Sequence, residues 1–354
     1  MQYEAQIMGV LKKILDLSQH ENKPSGFCIG NTAKIDGEGL YLTPLRNMSS
    51  MILSGVIVYS EKLAAEVARM VDGVVDYVLV DAEKKVPDGM SFTGVSANVE
   101  RIVRETVKQS DLWVYKGNDL AVEAIDGLLT HLTRNSVRGI GGKKVAILGS
   151  GNLGSKLALK LVERGAQVYI TRRNKEKINL IANALNCIKS KYTSAQVTGM
   201  VDNYKAAYRA DILIGLTKGT PIISSAMVES LQAGALIFDG GKGCLHPEAI
   251  RKAESLGIDI YRLDIAAALE GKISSLFAIE NIVDKEMGRR VLSKDFVLVS
   301  GGLMGRKGEI VVDNIYDPKV IYGIANGSGD FIRNLSDSQR FDIVEIKKML
   351  EIGW

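Results

Sequence analysis

Apolar residues recur at helical spacing at Ile7, Met8, Leu11, Ile14 and Leu15, which predicts an amphipathic first helix that Pro24-Ser25-Gly26 breaks. Short apolar runs then take over. Residues 27–29, 40–42, 56–59, 77–80 and 112–115 read as strands, and Asp36-Gly37-Glu38-Gly39 supplies a turn between the first two. Helical patterns lie between them, one with Leu63, Ala64, Val67, Met70 and Val71 inward and one around Ile102, Val103 and Val107. Strands that alternate with helices form an α/β layer. Val122, Ile125, Leu129 and Leu132 predict a further helix, which leads through Arg138-Gly139-Ile140-Gly141-Gly142 into a second such run.

That second run opens on its most informative stretch. Residues 145–148 are continuously apolar, as in a central parallel strand, and Gly149-Ser150-Gly151-Asn152-Leu153-Gly154 follows as G-x-G-x-x-G. In this pattern the first glycine turns the chain, the second lets a diphosphate approach the backbone, and the third lets helix and strand pack closely. Leu153, Leu157, Ala158, Leu161 and Val162 then mark a helix that Gly165 closes, and residues 167–170 give the next strand. Strand, glycine loop, capped helix and strand form the βαβ unit of a dinucleotide-binding domain. Ile178, Ile181, Ala182 and Leu185 place another helix, and residues 211–216, 235–239 and 258–262 further strands. The expected fold class is α/β, with an N-terminal α/β substrate domain over residues 1–120 and a doubly wound Rossmann domain over residues 121–354 that includes a C-terminal extension. The extension holds a glycine-rich loop at 300–308, a strand at 309–312, a glycine-rich turn at 325–329, and a short closing helix with Ile343, Ile346 and Leu350 that can pack back on the first domain.

The end of the second strand of this domain bears on the choice of dinucleotide. NAD sites commonly place Asp or Glu there, whereas this chain has Thr171-Arg172-Arg173-Asn174, then Lys175 and Lys177. Guanidinium forks suit a 2′-phosphate, so NADP is expected in preference to NAD. The loops after later strands should lie at the same sheet edge. The expected cofactor contacts are therefore Gly149, Ser150, Gly151, Asn152, Leu153, Gly154, Thr171, Arg172, Arg173, Lys177, Thr217, Lys218 and Gly240.

Composition narrows the partners. A net charge of +4 without a long basic run, and aromatic residues at only 6%, argue against nucleic acid. Cys28, Cys187 and Cys244 are odd in number and lack ligand spacing, so neither a disulfide framework nor a metal site is expected. No apolar run reaches membrane-spanning length and the N-terminus carries no leader pattern, which leaves a cytoplasmic protein as the expectation.

An α/β domain, a connecting helix and a Rossmann domain together resemble the two-domain dehydrogenases typified by shikimate dehydrogenase and methylenetetrahydrofolate dehydrogenase. Gly117-Asn118-Asp119 resembles the Asn-Thr-Asp that shikimate dehydrogenases carry before the connecting helix. Arg172-Arg173-Asn174-Lys175-Glu176-Lys177 resembles their NADP signature Asn-Arg-Thr-x-x-Lys, keeping its Arg and final Lys. Asp211-Ile212-Leu213-Ile214, Gly219-Thr220-Pro221 and Gly234-Ala235-Leu236-Ile237-Phe238-Asp239 resemble the folate enzymes. The resemblance implies a homodimer with a substrate cleft between its domains. Neither family's catalytic motif is copied: Leu42-Thr43-Pro44-Leu45-Arg46 has Arg where Val-Thr-x-Pro-x-Lys has Lys, and Tyr59-Ser60-Glu61-Lys62 is one residue short of Tyr-x-x-x-Lys.

Hydride transfer to a carbonyl or imine needs a proton donor near the reacting centre. Lys116 and Asp119 follow the last strand of the first domain, and we assign them as the catalytic pair, Lys116 to polarise the substrate and Asp119 to orient it. The alternative for Asp119 is a helix cap before Leu120. Lys84 and Lys85 after Asp81, Lys242 in its glycine loop, and His20, His131 and His246 are weaker candidates. The expectation is an NAD(P)-dependent oxidoreductase acting on a small polar metabolite; the alternatives are a one-carbon folate dehydrogenase and an NADP-binding sensor without turnover.

Overall fold

The computed structural model describes residues 3–32, 40–86, 97–217, 219–294, 296–300 and 302–350. The turn Asp36-Gly37-Glu38-Gly39, Lys218 and Gly301 lie outside the described residues. By contact the chain divides into two units, Met1–Lys272 and Ile273–Trp354.

The first unit holds two sheets. Helix α1 (Glu4–Glu21) buries Ile7, Leu11 and Ile14 and stops at Asn22, whose φ of 51° is left-handed. Then come β1 (Ser25–Asn31), β2 (Tyr41–Asn47), β3 (Ile52–Val58), α2 (Glu61–Val71), β4 (Tyr77–Asp81), α3 (Val99–Thr106) and β5 (Asp111–Tyr115). The sheet order is β2-β3-β1-β4-β5, in which β2 alone runs antiparallel. Alternate strand residues, among them Phe27, Ile29, Val56, Val58, Val78 and Val80, pack with α1, α2 and α3 in one core. Ser60 and Asn98 cap α2 and α3 through the Leu63 and Arg101 amides. Each such cap contributes about 1 kcal/mol.

Helix α4 (Gly117–Leu132) leads to the second sheet. It begins three residues earlier than Leu120, so Asp119 lies in the first turn and Lys116 takes the cap position. The second sheet is built from β6 (Lys144–Leu148), α5 (Asn152–Glu163), β7 (Gln167–Thr171), α6 (Lys175–Ile188), β8 (Val197–Met200), α7 (Asn203–Ala207), β9 (Ile212–Gly215), α8 (Ser225–Glu229), β10 (Leu236–Asp239), α9 (Pro247–Ser255) and β11 (Ile260–Arg262). All its pairings are parallel in the order β11-β10-β9-β6-β7-β8, which counted from β6 is the 3-2-1-4-5-6 order of a doubly wound dinucleotide fold. Val145 and Ile147 enter the core on one face, and Ala146 and Leu148 the core on the other. Burial on both faces explains why β6 reads as an unbroken apolar run. The order reverses between β6 and β9, and ligands bind at the carboxyl ends beside such a reversal.

Helix α10 (Ala266–Asn281) spans the division and ends in a π-turn, Ile282–Glu286. The second unit continues with β12 (Arg289–Val291), β13 (Val297–Ser300), β14 (Ile310–Val312), β15 (Ile321–Ile324) and α11 (Asp337–Met349). Its sheet runs β12-β13-β14-β15. The closing helix, whose pattern allowed packing on the first domain, instead inserts Ile346 into the core of its own unit. That residue is fully buried with Leu298, Ile310, Val312, Ile315 and Ile324.

Candidate cofactor and substrate site

The glycine loop between β6 and α5 has the geometry its spacing predicts. Gly149 adopts φ 123°, and a Cβ there would also stand 2.7 Å from the Leu216 carbonyl oxygen. A Cβ on Gly154 would collide with the Gly149 carbonyl, so helix and loop meet backbone to backbone. At Gly151 a Cβ would meet nothing within 4 Å. This glycine is not demanded by the protein's own packing; it leaves space in front of the α5 amides. Those amides receive no side-chain cap, and the first turn of α5 carries no acid. Ser150 Oγ beside them is buried without a hydrogen-bond partner among the described residues. An open approach, uncapped amides and an unpaired hydroxyl fit the diphosphate of a dinucleotide.

Thr171 ends β7 buried, and the half-buried Arg172 donates from its guanidinium to the Ser150 carbonyl at 3.3 Å. Arg173 and Lys177 are exposed beside it, and Asn174 caps α6 by accepting from the Lys177 amide at 2.7 Å. Two tight loops complete the edge. Thr217 Oγ1 donates to the Thr220 carbonyl at 2.8 Å and lies 3.1 Å from Cys244 Sγ. The Gly240 amide donates to the Gly215 carbonyl at 2.9 Å, while a Cβ on Gly241 would run into the Thr217 carbonyl. The buried Asp239 carboxylate accepts from the Gly243 and Cys244 amides and lies 3.5 Å from Arg262. Lys242 is exposed at φ 56°, an uncommon conformation outside glycine.

The carboxyl end of the first sheet meets this edge. Asp81, buried at the end of β4, accepts from the Gly117 amide at 3.1 Å and from Lys85 Nζ at 2.7 Å. Lys85 also pairs with Glu83, so this lysine is engaged within its own loop, while Lys84 is exposed. Asn118 Nδ2 donates to Asn152 Oδ1 at 3.1 Å, which joins the first turn of α4 to the glycine loop. Lys156 on α5 pairs with Asp119 and lies 3.8 Å from Glu83; Lys160 pairs with Glu123, and Arg164 with Asp126. Acids at successive turns of α4 thus face bases at successive turns of α5. Lys156, which no sequence motif marks, is the residue that holds Asp119.

A cleft of about 1060 Å³ runs along the other side of α4. Lys116, Asp119 and His131 line it from α4, Arg262 and Asp264 from the end of β11, and Lys272 from α10. The structure therefore brings the two expected catalytic residues to one cavity, and the glycine loop and Arg172 to one edge. Arg262, Asp264 and Lys272 were not singled out from sequence, because each belongs to a charged surface pattern until the fold brings α10 beside α4. His131 lies beside Arg134, His246 caps α9, and His20 pairs with Glu21. Among the described residues no group of acids, histidines and cysteines is arranged to hold a metal ion, and no helix is long and apolar enough to cross a membrane.

Residues 144–239 match the family model described as NADP oxidoreductase coenzyme F420-dependent. This stretch is of the NAD(P)-binding oxidoreductase Rossmann type. Glutamyl-tRNA reductase of Sulfurimonas denitrificans is 28% identical over 166 residues, 47% of this chain, which spans 32% of that relative's length. Among solved structures, L-tryptophan dehydrogenase from Nostoc punctiforme is 17% identical with a TM-score of 0.40, covering 74% of this chain and 79% of that one. Hetero-hexameric glutamate dehydrogenase from Thermus thermophilus is 13% identical with a TM-score of 0.42, covering 74% and 69%. Dipicolinate synthase from Bacillus halodurans is 15% identical with a TM-score of 0.35, covering 72% and 98%.

Proposed function

We propose that this chain is an NADP-preferring dehydrogenase or reductase of the two-domain type, acting on a small polar metabolite in the cleft beside α4. In this reading residues 1–120 form the substrate-side domain, and the chain from 121 onward carries the cofactor. The observation that carries it is the glycine loop, with Gly151 open to solvent, α5 uncapped and Ser150 Oγ unpaired. Gly149, Ser150, Gly151, Asn152, Leu153 and Gly154 would hold the diphosphate, and Thr217 and Gly240 would border the nicotinamide half. Arg172, Arg173 and Lys177, with Thr171 at the strand end, would hold the ribose phosphate. The Arg172 bond to the Ser150 carbonyl supports this assignment, because it holds one guanidinium face against the loop and leaves the other for an anion.

Bound nicotinamide supplies hydride chemistry. The remaining work falls to the chain. Adenosine over β7 leaves the nicotinamide half over β9, β10 and β11, the side on which the cleft lies. Lys116 donates a hydrogen bond to the oxygen or nitrogen of the reacting carbonyl or imine, and Asp119, held by Lys156, orients the bound molecule. The three cysteines are free thiols, which suits a reducing cytoplasm, and we expect a homodimer in solution.

Titration of the purified chain with NADPH and with NADH, followed by nicotinamide fluorescence, tests the reading. Tighter binding of NADPH, lost in Arg172→Ala, is the expected result; binding of neither nucleotide removes the proposal. The ion pair between Asp119 and Lys156 also suits a sensor without turnover, since it gives Asp119 a structural task. Full turnover by Lys116→Ala and Asp119→Asn, on a substrate that the wild type consumes, would withdraw the catalytic assignments.

A further inference from the structure

Two features of the cleft are unexplained by the fold. Gly127 and Gly271 lie inside helices α4 and α10 and line the cleft from opposite walls, and a Cβ at either would meet nothing within 4 Å. A glycine in a helix interior costs about 0.5–1 kcal/mol relative to alanine, and no neighbour here demands it. Both instead keep the cavity open. Ala124, Leu128 and Ala267 continue its apolar wall. From Lys116 to His131 the α4 wall rises about 22 Å, a length that a small metabolite does not fill.

The charges are unevenly satisfied. The lining acids are Asp119, Glu123 and Asp264. Each is paired with a base outside the lining: Asp119 with Lys156, Glu123 with Lys160, and Asp264 with Arg46 at 3.2 Å. Arg262 has Asp239. Lys116 and Lys272 have no carboxylate within 4 Å among the described residues. The cleft therefore presents two uncompensated ammonium groups along an apolar wall. Phosphate is disfavoured at the α4 end, because Asp119 occupies the first helical turn.

We propose that the cleft takes an organic carboxylate with an extended apolar body, and that Lys272 selects its charge. This rests on the oxidoreductase reading above and deepens it: the polar reacting end meets Lys116, and the carboxylate pairs with Lys272.

Calorimetric titration of the full chain, with and without NADPH, tests this with octanoate, octyl phosphate, octan-1-ol and octylammonium, which share one apolar stem. Octanoate should bind at least about tenfold tighter than octan-1-ol, the margin of a charge-assisted contact, and octylammonium weakest. Lys272→Gln should close the gap between octanoate and octan-1-ol while Lys272→Arg keeps it, and Gly127→Leu should abolish binding of both. Equal affinity for octanoate and octan-1-ol, an unchanged gap in Lys272→Gln, or undiminished binding to Gly127→Leu would overturn the proposal. Tighter binding of octyl phosphate would overturn the carboxylate assignment. The melting temperature of each variant separates lost binding from lost folding. Octanoate selectivity without NADPH binding would uphold this inference and remove the oxidoreductase reading; NADPH binding without that selectivity would do the reverse.

Discussion

Gly151 and Gly154 sit three residues apart in one motif yet serve opposite ends, and substitution separates them. At Gly154 a methyl group has no space beside the Gly149 carbonyl, so Gly154→Ala should lower the melting temperature as well as NADPH affinity. At Gly151 the methyl enters open space at an ordinary φ of −79°, so Gly151→Ala should melt like the wild type and bind NADPH at least about tenfold more weakly. Thermal melts beside fluorescence titrations check both. The cysteines divide similarly. Burial pushes the Cys28 thiol up to about 12, against lowering by Arg46 and by the Tyr115 hydroxyl, and burial also raises Cys244. The exposed Cys187 should be the thiol that Ellman's reagent labels in the native protein at pH 8, with all three labelled after denaturation. The glycine loop was legible in sequence because spacing alone specifies it. Lys156 was not, because a lysine on an amphipathic helix looks solvated until its partner helix is placed.

Elements with one-sided apolar patterns were legible; short or evenly mixed ones were not. Helices α2 and α5 announced themselves through residues that the structure buries. Strand β8, four residues with a central glycine, and helices α7 and α8, five residues each, are too short for a period to register. Helix α10 begins Ala266-Ala267-Ala268 and shows no apolar stripe, yet it forms one wall of the cleft. Its Glu270 anchors the loop between β2 and β3, accepting from the Ser49 amide at 3.1 Å and from the Ser50 hydroxyl at 3.2 Å. Burial opposes ionisation of Glu270, but these hydrogen bonds outweigh it and hold the carboxyl below its ordinary range. A depressed folded value means the anchor stabilises above the ordinary glutamate pKa of about 4.3 and is lost as pH falls through the lower one. Hydrogen exchange should show the Ser49 and Ser50 amides protected at pH 7 and opening near pH 3, and Glu270→Gln should open them at both. Between α4 and α5, Asp126→Ala removes the partner of Arg164 and a neighbour of Lys160, and should cost about 1 kcal/mol, less at high salt. Denaturant titration at two salt concentrations measures it.

At the scale of the molecule, the doubly wound order of the second sheet followed from alternating strands and helices, and the strand sequence β11-β10-β9-β6-β7-β8 adds where the order reverses. The division at Lys272 was not legible, since α10 runs through it without a break and no composition shift marks it. Each unit has its own core, the second around Leu298, Ile310 and Ile346. Scanning calorimetry should therefore resolve two transitions. NADPH at a hundred times its dissociation constant should add about 2.7 kcal/mol to one of them and leave the other in place.

The bond from Arg172 to the Ser150 carbonyl also limits how this site can be redesigned. Converting such a domain to NAD is usually attempted by installing an acid at the end of the second strand. Here Arg172→Asp would delete a donor to the diphosphate loop and turn a carboxylate towards a carbonyl oxygen. A swap that keeps a neutral donor at 172 and places the acid at 173 would change cofactor choice without loosening the loop.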